Sequence, residues 1–136
     1  MSLAPGRETD SQAKALVVAR AALDKHAEGV MVLDVRAGSS VTDFFVLCTA
    51  GSSPQLAALQ EHIEAILAQR GERIGHAEGV AAPRAGADAG APRWVLLDCG
   101  DVVIHLLDQH ARAFYRLEDL WADAPRVALP PEPSPA

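Results

Sequence analysis

Residues 44–54 read Phe44-Phe45-Val46-Leu47-Cys48-Thr49-Ala50-Gly51-Ser52-Ser53-Pro54, and the class of the fold turns on them. From Phe44 to Thr49 the run is almost wholly apolar and does not alternate, the pattern of a strand covered on both faces. A serine cap with proline at the first helical position then signals a helix start, because proline's missing amide falls where no intrahelical bond is made. Leu56, Leu59, Ile63, Ile66 and Leu67 recur at helical spacing and form a buried stripe that stops at Gly71. A buried strand feeding directly into an amphipathic helix predicts an α/β domain.

Working outward, residues 1–9 are polar and contain Pro5 and Gly6, which predicts a loose arm. Asp10 or Ser11 offers a cap for a first helix ending near His26. Its inner face would hold Ala15, Leu16, Val18, Ala19, Ala22 and Leu23, with Lys14, Arg20, Asp24 and Lys25 mostly on the outer side. Val30 to Val35 reads as a strand, followed by a turn at Gly38-Ser39-Ser40. Beyond the second helix, Arg73 to His76 suggests a short strand, and residues 77–92, rich in Ala, Gly and Pro, read as a flexible loop. Trp94 to Asp98, a tight turn at Cys99-Gly100, and Val102 to Leu107 make a hairpin. Phe114 to Trp121 predicts a short closing helix, and the Pro-rich residues 125–136 a disordered tail. The expectation is one domain over 10–124, a small mixed sheet flanked by helices.

Composition narrows the function. The 136 residues suffice for one domain, and 49% are apolar, enough for a core without disulfide or metal staples. Acidic residues outnumber basic ones 18 to 12, a net charge of −6. A free-standing nucleic-acid binder needs the opposite balance to neutralise phosphates, so a basic protein partner suits this chain better. Two cysteines, Cys48 and Cys99, form no metal-like or redox spacing and read as reduced thiols. Apolar runs fall short of the ~20 residues a membrane helix needs, and the first ten residues lack a signal-peptide core. A cytoplasmic protein is expected, with no membrane association.

Several motifs carry two readings. Gly51-Ser52-Ser53 is either an anion site at a helix start or only a cap. With Asp98 and Asp101 the same corner would suit a small magnesium-dependent nucleotidyltransferase, but such chemistry wants carboxylates clustered on one face, and these two straddle a turn. Two carboxylates alone also make a poor metal site, so no cofactor or metal is expected. Asp98-Cys99-Gly100-Asp101 reads as a solvated turn or a partner-facing one. Trp94, at a strand entrance, is either a core aromatic or an interface anchor. His105 lies between Ile104 and Leu106 and reads as a hydrogen-bonded core histidine. Arg112, Phe114, Tyr115, Arg116, Leu117, Leu120 and Trp121 read as a lid over one edge or end of the sheet. No catalytic triad or dyad can be assembled from the spacings, so an enzyme is not expected.

Taken together, Val32-Leu33-Asp34-Val35, Ser39-Ser40-Val41-Thr42-Asp43-Phe44-Phe45-Val46, Gly51-Ser52-Ser53, Trp94 through His105, and Phe114-Tyr115-Arg116-Leu117-Glu118-Asp119-Leu120-Trp121 resemble the ribosomal silencing factor (Iojap-related) family over about residues 10–126. The resemblance implies a nucleotidyltransferase-like fold without catalytic carboxylates. It implies a homodimer that binds the large ribosomal subunit through protein uL-fourteen. There it would block joining of the small subunit and repress translation, notably under nutrient limitation. The family's contact surface includes the strand that here runs Trp94 to Asp98, so Trp94, Leu97, Asp98, Gly100 and Asp101 become the expected partner-binding residues. Strand alternation makes Leu97 the weaker member, since it faces away from Trp94 unless the strand bulges. Two departures stand out: Val80 to Pro92 is longer than the family pattern, and Cys99 replaces a residue that is often larger.

Overall fold

A computed structural model describes residues 5–38, 41–78, 94–116, 119 and 121–129. The elements are α1 (Pro5–Asp24), β1 (Glu28–Asp34), β2 (Phe44–Ala50), α2 (Ser53–Gln69), β3 (His76–Glu78), β4 (Trp94–Asp98), β5 (Val102–Asp108) and α3 (Gln109–Tyr115). The strands form one five-stranded sheet in the order β1-β2-β5-β4-β3. β2 and β5 run parallel at its centre, and the other neighbours are antiparallel. The expected mixed sheet with helices is therefore present. Its one parallel pair follows from α2, since parallel neighbours need a crossover and α2 lies in the connection from β2 back to the sheet.

α1 and α2 cover one face. Ala15, Val18, Ala19 and Ala22 from α1 and Leu56, Leu59, Ile63 and Leu67 from α2 pack on Val32, Phe44, Val46, Cys48, Val95, Leu97, Ile104 and Leu106. These positions match the helical stripes read from the sequence. The small side chains of α1 let its backbone approach the sheet, while the leucines of α2 fill the remaining volume. The Ser52 side chain accepts from the Gln55 amide at 3.2 Å, with proline in the first turn, as the cap signal predicted.

Four expectations are corrected. α1 begins at Pro5 rather than at Asp10 or Ser11, because a first-turn proline sacrifices no helical hydrogen bond. Residues 5–9 thus belong to a helix and not to a loose arm. Lys14 is only 6% exposed, although the helical pattern placed it outside. Its ammonium lies 2.6 Å from Asp101 and 2.8 Å from Glu72, and Ser11 donates to Asp101 at 2.7 Å. This polar weld ties α1 to the β4–β5 turn and to the segment after α2. Third, the short strand is His76–Glu78, in register with Leu96 to Asp98, and not residues 73–76. The rest of the 77–92 segment lies outside the described residues. Fourth, α3 starts directly after β5, where the Asp108 carboxylate accepts from the Ala111 amide at 2.7 Å, and ends at Arg116 in a left-handed conformation (φ 51°). Of the expected helix over Phe114–Trp121, Phe114 and Tyr115 fall at the end of this earlier one, Asp119 is again helical, and residues 117, 118 and 120 lie outside the described part.

The C-terminal segment also departs from expectation. Pro125 O accepts from the Asp34 amide at 2.8 Å, and the Val127 amide donates to Val32 O at 2.8 Å. Arg126 bridges Leu33, while Val127 and Leu129 pack against the helix-side core. Residues 125–129 are therefore a strap along the outer edge of β1, where open amides and carbonyls call for cover. Residues 130–136 lie outside the described part. The elements extend past 10–124 at both ends, to Pro5 and to Leu129.

Candidate partner-binding face

The face of the sheet away from α1 and α2 is only partly covered. Leu33, Val35, Leu47, Leu107 and Ala111 are buried there, and Met31, Phe45, Trp94, Trp121 and Ala124 pack around them while remaining partly exposed. α3 covers one end through Ala111. In the turn joining β1 and β2, Gly38 makes room for Trp121: a Cβ at that position would sit 3.2 Å from the indole. An apolar sheet face left half open is the arrangement expected of a surface that meets another body.

β4 supplies the ledge. Its side chains alternate, with Val95 and Leu97 buried and Trp94, Leu96 and Asp98 partly exposed. Trp94, Leu96 and Asp98 therefore share the open face, spaced two residues apart. The Trp94 ring lies 5.6 Å from the His105 ring, His105 lies 4.9 Å from Phe45, and Phe45 lies 5.1 Å from Trp121. A row of rings thus crosses β4, β5 and β2. The Trp94 indole Nε1–H donates to His105 Nδ1 at 3.0 Å. Burial pushes the His105 pKa down to about 4, so the ring is neutral at ordinary pH. His105 is the hydrogen-bonded core histidine that the sequence reading anticipated.

The other expected contact residues divide. Asp98 keeps its place on the ledge, one oxygen accepting from the Gly100 amide at 2.8 Å to shape the turn. Gly100 is exposed at the tip with φ 87°, a conformation that explains a glycine there without any contact role. Leu97 is 0% exposed within the helix-side core and cannot touch a partner unless the domain opens. β4 shows no bulge that would turn it outward, its register with β5 running unbroken from Trp94 to Asp98. Asp101 stays partly exposed at the turn, its carboxylate bonded to Lys14 and Ser11. Burial raises its pKa, but bonds from Lys14 and Ser11 prevail and hold it below the usual carboxylate range. For Lys14, burial lowers the ammonium's pKa, and Asp101 and Glu72 more than reverse this. Leu96 is the residue that the sequence reading missed, although two-residue alternation from Trp94 would have picked it out.

The constellation for nucleotidyl transfer does not converge. Because Phe44 pairs with Val102 and Ala50 with Asp108, Gly51 and Ser52 lie at one end of the central strands and Asp98 and Asp101 at the other. Six residue steps along a strand separate the two groups by about 20 Å. The Gly51 amide donates to Gln55 Oε1 at 2.6 Å. The Gln55 side-chain amide donates to Lys25 O at 3.2 Å and His26 O at 3.0 Å. This corner caps α2 and braces it to the end of α1. Among the described residues, no group of three or more His, Cys, Asp or Glu is placed to hold a metal ion. Cys48 and Cys99 are free, their thiol pKa values raised by burial to about 12 and about 11, far from nucleophilic activation. Phe114, expected in the lid, is 69% exposed on α3. Among the described residues, no helix is long and apolar enough to cross a membrane.

Comparison with known proteins places this geometry in context. Residues 8–136 match the family model described as "Ribosomal silencing factor during starvation". The chain is 38% identical over 106 residues to the ribosomal silencing factor RsfS of Halalkalibacterium halodurans, covering 78% of this chain and 83% of that protein. It is 33% identical over 130 residues to the chloroplastic protein Iojap of Arabidopsis thaliana, covering 93% of this chain and 50% of that one. Among solved structures, a protein from Chromobacterium violaceum superposes with a TM-score of 0.69 at 27% identity, covering 90% of this chain and 89% of the other. One from Bacillus halodurans gives 0.64 at 36% identity, covering 84% and 96%.

Proposed function

The chain belongs to the ribosomal silencing factor family, and from that premise we propose that it represses translation by docking on the large ribosomal subunit and excluding the small one. The docking surface is the open face of the sheet, centred on Trp94, Leu96 and Asp98. One observation carries this reading: a tryptophan, a leucine and a carboxylate stand partly exposed, side by side, on a face whose surroundings are apolar. A half-exposed indole in such a setting is the residue type that dominates interface energies. The rim carboxylate and the net charge of −6 favour a basic protein surface, and uL-fourteen is the partner in this reading. Catalysis plays no part: a folded body over a joining surface blocks it by volume alone. The nucleotidyltransferase-like fold that the resemblance implies would then carry no transferase activity. Free of the ribosome, the exposed apolar face is covered by a second copy, giving a cytoplasmic homodimer, and repression matters most under nutrient limitation.

The experiment is a sucrose gradient of purified subunits with added protein. Wild type is expected to co-migrate with the large subunit and to leave free subunits at the expense of joined ribosomes, while Trp94→Ala does neither. A folded Trp94→Ala protein that blocks joining as well as wild type would remove the proposed anchor.

A further inference from the structure

We propose that His105 is a positioning residue for the partner contact: its neutral imidazole fixes the Trp94 indole with the N–H turned inward, so that the ring presents an apolar rim outward. The inference rests on the docking surface proposed above and specifies what the partner must offer there.

A half-exposed tryptophan on a strand has a choice. Its indole can point the N–H to water, or turn it back into the protein if an acceptor waits there. Here the acceptor is His105 Nδ1 at 3.0 Å. An imidazole that accepts at Nδ1 carries its proton on Nε2, so this bond sets the tautomer. His105 is itself 5% exposed and held edge-on by Phe45 at 4.9 Å, so it cannot follow a moving indole. The hydrogen bond therefore anchors a partly exposed ring to a buried, packed one.

The cost of this arrangement argues that it has a purpose. His105 Nε2 is buried and meets no hydrogen-bond partner among the described residues. A buried donor left unpaired disfavours the folded state, and an apolar ring of the same shape at this position would avoid it. Phenylalanine would pack between Trp94 and Phe45 equally well, but it would offer nothing to the indole N–H. What histidine adds over phenylalanine is the acceptor at Nδ1, and the residue that benefits is Trp94. With its N–H satisfied internally, Trp94 demands no acceptor from its partner. The matching site is thus an apolar or aliphatic surface, including the stems of Lys and Arg, and not a carbonyl or a phosphate oxygen.

The test uses the full-length protein in three forms: wild type, His105→Phe and His105→Gln, the last supplying a carbonyl oxygen near the lost Nδ1. Two readouts are taken: solvent exchange of the Trp94 indole N–H by nuclear magnetic resonance, assigned with Trp121→Phe, and affinity for purified large subunits. Expected are slow indole exchange in wild type, exchange at least tenfold faster in folded His105→Phe with affinity down about tenfold, and partial recovery of both in His105→Gln. A merely structural histidine would leave affinity unaltered in a His105→Phe protein that keeps its thermal midpoint, even though the indole N–H exchanges faster. Rapid indole exchange in wild type overturns the anchoring itself. Slow exchange in wild type with unaltered affinity in a His105→Phe protein whose indole is released overturns its role in docking. Failure of the docking surface shows separately, as a Trp94→Ala protein that still binds like wild type.

Discussion

Acid should loosen this fold through His105 before Asp34 and Asp101 lose their charge. The native imidazole is buried, and its pKa is pushed down to about 4 from the ordinary 6.5 of an unfolded chain. Between those values the unfolded state binds the proton and the native state does not, so stability rises with pH across the window and is lost as pH falls below about 6.5. At about 1.4 kcal/mol per pH unit the full window amounts to about 3 kcal/mol, and the part between pH 7 and pH 5 to about 2 kcal/mol. Asp34 and Asp101 do not confuse the measurement. Their pKa values lie below the ordinary 3.8, Asp34 chiefly through its bonds from Arg36, and their contributions vanish only in stronger acid. The assay is urea unfolding at pH 7 and pH 5 for wild type and His105→Phe. Wild type should lose about 2 kcal/mol more than the variant on acidification. The indole N–H of Trp94 should be released in the same step, because an imidazolium has no acceptor left for it. Equal acid losses in the two proteins would refute the reasoning, since the variant has no imidazole to titrate.

Three further outcomes follow from the same geometry. Leu96→Ala should weaken large-subunit binding with little effect on folding, while Leu97→Ala should cost about 2–5 kcal/mol of stability, as core truncations do, and urea unfolding beside a binding assay separates the two. Lys14→Ala should destabilise by about 1–3 kcal/mol, because Asp101 keeps its half-buried carboxylate and loses its cation, and the loss should shrink in Lys14→Ala/Asp101→Ala, read as a double-mutant cycle. Truncation after Ala124 removes two backbone bonds to β1 together with Val127 and Leu129 and should lower stability by about 2–4 kcal/mol, with concentration-dependent self-association by light scattering as the bared edge finds other chains.

Much of this architecture was legible before any coordinates. The β2–α2 junction, the stripes of both long helices and the β4–β5 hairpin all depend on local periodicity, which a sequence displays directly. β4 was read to its terminal residues, and the alternation that sends Leu97 away from Trp94 was visible as well. The same alternation names Leu96, two residues from Trp94 on the open face.

What the sequence by itself determined is the set of elements with short-range causes: caps, turns and apolar periods, each set by residues within a few positions of one another. Only the tertiary structure decided what depends on distant parts of the chain. Lys14 reads as a solvent-facing helix residue until Asp101, 87 residues away, is folded against it. Residues 125–129 read as tail until the open edge of β1 gives their amides and carbonyls partners. Gly51 and Asp101 could be imagined in one site until the parallel pairing of β2 with β5 put them at opposite ends of the sheet. Trp94 gained its acceptor only because β4 pairs with β5 and brings the indole over His105. In each case the physical reason is the same: desolvation and hydrogen bonding act between groups that meet in space, and a linear pattern does not say which distant groups will meet.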